Sequence, residues 1–240
     1  MTANGRGDGP AEPAGKRLGW KALALLLLAF CSLVVLWRTP AVWPFKIVLV
    51  LIHELGQRLA VVATGGQAGP IQILAGESSL SLGGGSRLLV WNAGYASCLL
   101  FGALVLLLAA RTRLERWLMA ALGGMSIWAV LAYVPSSNSF GFFGGLGTGA
   151  ALLAAAIWLP RSVDTFLLEL VGLGGCGYPI ADVVAELLLG GQMRSDARML
   201  ADLFGLPMAF WSGLWIALAV AAAGFCLFLA CRKPASADAG

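Results

Sequence analysis

The sequence predicts an all-α polytopic membrane protein of about six to seven transmembrane helices, with a short β-hairpin between the second and third. Two observations support this class. Hydrophobic residues make up 59% of the 240 residues and charged residues only 12%, and the mean hydropathy is +0.85. A globule of this length in water buries much less apolar surface than such a composition contains. The second observation is a series of long apolar runs separated by short polar stretches.

The apolar runs set the order of the helices. Each is long enough to cross a hydrocarbon core of about 30 Å, which takes roughly 20 helical residues. They cover residues 20–37, 43–63, 88–110, 117–134, 140–159, 163–189 and 207–231. The sixth contains GLGGCGYP at 172–179, whose glycines and proline predict a broken helix.

The chain divides into one domain and two tails. Residues 1–19 are rich in glycine, proline, alanine and charge, and we expect a disordered tail there. Residues 20–231 form a single integral membrane domain, and residues 232–240 a short C-terminal tail. No small-residue cleavage site follows the first apolar run, so an uncleaved helix is favoured over a signal peptide. We expect a bacterial plasma membrane protein, whose orientation stays open because the basic residues divide evenly between the two sides.

Residues 69–87, between the second and third runs, follow the pattern of a β-hairpin. Ile71 alternates with Ile73, Leu80 alternates with Leu82, and glycine-rich turns bound both pairs. An exposed strand holds a peptide extended through main-chain hydrogen bonds. The hairpin is therefore a candidate substrate-binding edge, with Ile71, Ile73 and Leu80 among its contacts. A surface loop with incidental alternation fits the same pattern.

Glycines recur every four residues in the fifth run, at Gly141, Gly145 and Gly149. No strand precedes them, as a nucleotide-binding loop requires, so the spacing predicts close helix packing. The partner helix belongs either to the same chain or to a second copy, and the oligomeric state stays open.

Several ionisable residues lie far from the ends of the predicted spans, where a charge is costly unless it is paired, neutral or hydrated. They are His53, Glu54, Glu169, Asp182 and Glu186. On an α-helix, His53 and Gln57 share one face about 6 Å apart, while Glu54 projects about 100° away from His53. An HExxH zinc helix uses this geometry, with two imidazoles on the metal and the glutamate near the bound water. This chain has HELGQ instead.

Several separated motifs resemble the M50B-like membrane metallopeptidases, which are relatives of the site-2 proteases. They are HELG at 53–56 followed by Leu59, Ala60 and TGG at 64–66, then SRLLVWNAGYASCLLFGALVLLLAAR at 86–111, YPIADVVAELL at 178–188 and SDARMLADLFGLPMAFWSGLW at 195–215. The order and spacing agree over about residues 45–215.

The resemblance implies a zinc-dependent intramembrane protease. His53 matches the first zinc ligand and Glu54 the general base, and Asp182 is the best match for an acidic ligand from a later span. Asn92 is assigned to substrate binding. Gln57 stands where the second ligand histidine is expected, and it offers only a neutral amide oxygen to a metal that favours nitrogen and sulfur. We therefore expect zinc binding to be weak and activity impaired.

Other interpretations of these residues stay open. His53 could be a neutral histidine hydrogen-bonded between helices, and Asp182 with Glu186 could form a polar stripe at a helix interface. Asp196 lies in a charged loop, and we expect a helix start there that is capped by the Ser195 hydroxyl or the Asp196 carboxylate.

Three functions are compatible with the sequence. The first is an M50-type zinc metallopeptidase homologue impaired by Gln57, and the second is a pseudoprotease that binds membrane partners. The third is a transporter of small molecules or ions, which the lack of an internal repeat disfavours. The expected partners are membrane lipid and transmembrane protein substrates or partner helices. Nucleic acid is not expected, because the 16 basic residues form no stripe interleaved with aromatic side chains.

Overall fold

A computed structural model describes residues 18–36, 39–74, 78–188 and 195–232. These residues form a helical bundle with one two-stranded sheet. In chain order the elements are α1 (Trp20–Val35), α2 (Trp43–Ala63), β1 (Gln67–Ile73), β2 (Ser78–Gly83), α3 (Arg87–Arg111), α4 (Glu115–Tyr133), α5 (Ser139–Trp158), α6 (Arg161–Leu188), α7 (Asp196–Phe204) and α8 (Met208–Cys231). The predicted tails fall almost wholly at 1–17 and 233–240, outside the described residues.

The all-α membrane class and the hairpin are confirmed. Within the described ranges, five helices are long and apolar enough to cross a membrane, namely α3, α4, α5, α6 and α8. The first two predicted spans differ from these. Helix α1 has 16 residues, which is short for a full crossing, and α2 carries Lys46, Glu54 and Arg58 among its 21 residues.

Helix α2 lies inside the bundle. Every side chain from Ile47 to Glu54 is buried, because α3, α5, α6 and the hairpin pack around this helix. Protein rather than lipid therefore surrounds its polar residues. Neighbouring side chains contact Nε2 of His53 there, which lowers the cost of burying the imidazole.

Helix α6 runs without a break from Arg161 to Leu188 and contains Pro179, so the prediction of a broken sixth helix is wrong. The glycines of α6 let its backbone come into contact with the backbone of α3. A Cβ atom on Gly102 of α3 would lie 2.5 Å from the backbone oxygen of Gly172 and 2.5 Å from the backbone nitrogen of Cys176. Close packing of α3 on α6 thus accounts for the glycine-rich sequence.

Gly145 and Gly149 of α5 pack against α4 of the same chain, whereas Gly141 faces Ile73 of β1. A Cβ on Gly145 would lie 2.4 Å from Cγ2 of Val130, and a Cβ on Gly149 would lie 2.9 Å from the backbone oxygen of Gly123. The packing interpretation of these glycines is therefore confirmed.

Strands β1 and β2 pair antiparallel, with Ile71 opposite Leu80 and Ile73 opposite Ser78. The side chains of Ile71 and Ile73 are 0% and 2% exposed, and both belong to the main hydrophobic core. A substrate that contacted β1 would have to use the strand's backbone, because these two side chains point into the bundle.

Candidate functional site

The polar side chains of α2 form the centre of a buried polar cluster. His53, Glu54 and Gln57 are between 3% and 5% exposed. Glycine lets α3 approach them closely, since a Cβ on Gly94 would lie 2.4 Å from Cε1 of His53. A second glycine, Gly56 on α2, similarly faces Ser97 of α3. The imidazole is therefore held in place by the packing of α2 on α3.

Three side chains meet at one point of this cluster. Nε2 of His53 lies 3.1 Å from Oδ2 of Asp196. The side-chain amide of Gln57 donates to the same oxygen at 2.8 Å, and its nitrogen lies 3.1 Å from Nε2 of His53. We call His53, Gln57 and Asp196 the polar triangle. Because an amide carries two hydrogens, Gln57 can donate to both other atoms when Nε2 of His53 is unprotonated.

Helix α7 brings Asp196 into the triangle. Asp196 is the first residue of α7 and is 7% exposed. The expected capping role falls to Ser195 alone, whose hydroxyl accepts from the backbone N–H of Arg198 at 3.3 Å. Sequence reasoning searched for acids within long apolar spans and so missed an acid at the start of a short helix. The motif SDARMLADLFGLPMAFWSGLW was the available signal, because it already formed part of the family resemblance.

Asp182 lies in the same cluster but contacts a different residue. Its Oδ2 accepts from the Tyr95 hydroxyl at 2.5 Å, and that hydroxyl accepts from the backbone N–H of Ala197 at 3.4 Å. The rings of Tyr95 and Tyr178 stand 5.8 Å and 5.0 Å from the His53 ring. Asp182 therefore supports Tyr95, whereas the carboxylate that meets His53 belongs to Asp196. The metal-ligand role of Asp182 stays a prediction.

Glu54 is buried beside the triangle and is not part of it. Its Oε2 has no hydrogen-bond partner among the described residues. A buried carboxylate oxygen without a partner is costly, and the general-base role of Glu54 stays a prediction.

The remaining predicted site residues are held by contacts inside the protein. Leu80 packs against the main core. Oδ1 of Asn92 accepts from Nε1 of Trp215 at 3.1 Å, and its amide donates to the backbone oxygen of Leu88 at 2.7 Å. The assignment of Leu80 and Asn92 to substrate binding stays a prediction.

The donors of the polar triangle do not fit a tight zinc site. Zinc in proteins takes three or four strong ligands from histidine, cysteine and carboxylates, and here only His53 and Asp196 are strong. Within the described part of the chain, no group of three such residues could hold a metal. Zinc-binding histidines also donate their second ring N–H to a partner. Nδ1 of His53 has no hydrogen-bond partner in the described ranges.

Comparison with known proteins gives one match. The family model described as Peptidase M50B-like matches residues 26–226, which include α2, the hairpin, α3, α6 and α7. No curated protein and no solved structure matches the chain.

Proposed function

Because the chain belongs to the M50B-like peptidase family, we propose that it is a pseudoprotease, which keeps the membrane fold of a site-2-protease-like metallopeptidase without a working zinc centre. In this proposal it binds segments of transmembrane proteins and does not cleave them. Its function would therefore be to bind these segments.

One observation carries the proposal, namely the position of the Gln57 amide. This amide donates to Asp196 and lies within hydrogen-bonding distance of Nε2 of His53, so it occupies the position between the two strong donors where a second zinc-binding imidazole would lie. A histidine at this position would add a second imidazole nitrogen. The amide oxygen of glutamine is neutral and binds zinc poorly.

The chemistry of the remaining residues supports the same conclusion. Peptide hydrolysis needs an activated water and a positive group or free hydrogen-bond donors near the developing oxyanion. Glu54 alone would have to deprotonate a water of ordinary acidity. Nε2 of the His53 imidazole lies against the Asp196 carboxylate and the Gln57 amide, so it is not free to stabilise an oxyanion. We therefore expect no appreciable rate enhancement from these side chains.

A cleft beside the hairpin supports the binding half of the proposal. Strand β2 pairs only with β1 in the described part of the chain, so its other edge offers unpaired backbone groups. A cleft of about 360 Å³ adjoins it, between β2, the start of α3 and α7. Its apolar lining comes from Leu82, Val90, Trp91, Met199 and Leu203. An extended peptide segment matches both the strand edge and this lining.

A cleavage assay tests the proposal. The native chain and Glu54→Gln are reconstituted in liposomes with a single-span reporter whose helix is interrupted by glycine and proline, and products are identified by mass spectrometry. We expect both proteins to give only the background cleavage of empty liposomes, because neither can activate water. Monodisperse elution in detergent verifies that both are folded. Cleavage by the native chain that Glu54→Gln abolishes would show an active protease and refute the proposal.

A further inference from the structure

Glu186 connects the end of α6 to the start of α7. Its side chain is 1% exposed, and its carboxylate accepts three hydrogen bonds. The Ser195 backbone N–H donates to Oε2 at 3.0 Å, the Ser195 hydroxyl donates to the same oxygen, and Nε of Arg198 donates to Oε1 at 2.5 Å. We call Glu186, Ser195 and Arg198 the α7 clamp.

Every donor of the clamp lies at the beginning of α7. Ser195 is the residue that caps this helix, and Arg198 belongs to its first turn. Helix α7 has only nine residues, and a helix of that length is marginal without tertiary contacts. The hydrogen bond that Arg198 donates to Glu186 also raises the pKa of Arg198, so the guanidinium stays charged. A buried carboxylate with charged and neutral donors is a strong anchor for such a helix.

Asp196 follows Ser195 directly, so the clamp also determines where Asp196 lies. On the other side of Asp196, the backbone N–H of Ala197 donates to the Tyr95 hydroxyl. Asp196 is therefore held between two fixed neighbours, with its carboxylate against His53 and Gln57.

From this geometry we infer that Glu186 is a positioning residue, which sets the Asp196 carboxylate against His53 through the first turn of α7. The inference rests on the proposed function in one respect, because Asp196 matters for function only as a member of the polar triangle. Glu186 itself does not contact His53 or Gln57 and acts through α7.

Glu186→Gln tests this role, because it preserves the size of the side chain but places an amide donor among the three donors of the clamp. Asn138→Ala is the matched control. It removes another buried cap, in which Oδ1 of Asn138 accepts from the Gly141 backbone N–H at 2.9 Å, at the start of α5 and away from α7. Both variants should lower the unfolding temperature.

Two readouts separate positioning from general stability. The first is hydrogen exchange of residues 196–204 in the otherwise native chain, which should become at least about tenfold faster in Glu186→Gln and unchanged in Asn138→Ala. The second is zinc affinity in a chain that also carries Gln57→His. We expect Glu186→Gln to weaken it by about 10-fold to 100-fold, as loss of an outer-shell partner does, and Asn138→Ala to leave it unchanged.

The outcomes distinguish this inference from the proposed function. If Glu186→Gln matches Asn138→Ala in the exchange of α7, Glu186 has only a general structural role and the inference is wrong. Unchanged zinc affinity in Glu186→Gln would overturn it equally. Failure of Gln57→His to bind zinc would contradict the attribution of the missing zinc centre to Gln57, on which the proposed function rests, and the exchange measurement would still decide the role of Glu186.

Discussion

Replacing Gln57 with histidine should convert the purified protein from one with little zinc to one with about one zinc ion per chain. The new imidazole would lie one helical turn from His53 and beside Asp196, where the Gln57 amide now lies. Three strong donors would then surround one point. Structural zinc sites of four ligands gain about 10–16 kcal/mol, so one added ligand should strengthen binding by at least ~100-fold.

Elemental analysis and titration against a chelator of known affinity measure this gain. The control is the double variant Gln57→His with His53→Ala, which keeps the new imidazole and removes the old one. It should lose the zinc, since two donors remain. Equal zinc in the single and double variants would mean that the metal binds elsewhere, and the geometry of the triangle would not explain the result.

A second large effect is expected at the contact between α3 and α6. Gly102→Ala would place a Cβ atom 2.5 Å from two backbone atoms of α6. Backbone atoms cannot rotate away as a side chain does, so the two helices would have to separate. We expect a loss of about 3 kcal/mol in the free energy of unfolding, which is a large fraction of the total for a chain of ordinary stability.

Gly124→Ala is the control for this substitution. Gly124 also lies within a helix, α4, but a Cβ atom there would meet nothing within 4 Å. This variant should be as stable as the native chain or slightly more so, because alanine favours helix. Thermal unfolding in detergent, followed by the loss of monodisperse protein, compares the two. Equal unfolding temperatures would show that α3 and α6 are not packed this closely.

Local patterns in the sequence were sufficient to predict most of the fold. Apolar runs located the helices, and alternating residues located the hairpin. The glycines at 172–179 misled the prediction, because glycine both weakens a helix and allows close helix packing. Whether a glycine weakens the helix or allows close packing depends on the neighbouring helix that it faces. Gly102 lies about 70 residues away in the chain, and nothing local to α6 reveals it.

The candidate site was predicted in part for a similar reason. His53, Glu54 and Gln57 follow from one helical motif, whose geometry is local. Which acidic residue contacts His53 depends on the tertiary structure. Asp182 lies in a long apolar span, whereas Asp196 lies in a short helix that does not cross the membrane. Because a charge within an apolar span is costly to bury, the sequence favoured Asp182 as the metal-binding acid. The structure places Asp196 in the triangle because Glu186 and Tyr95 hold the start of α7 there.

The zinc content of the native chain decides whether this protein has a working zinc centre. The native protein and His53→Ala are purified from zinc-supplied cells without chelator, and the metal is quantified by elemental analysis. We expect the same trace amount in both, far below one zinc per chain, because the Gln57 amide lies where a second zinc-binding imidazole would be needed. A stoichiometric zinc ion in the native protein that disappears in His53→Ala would contradict this expectation.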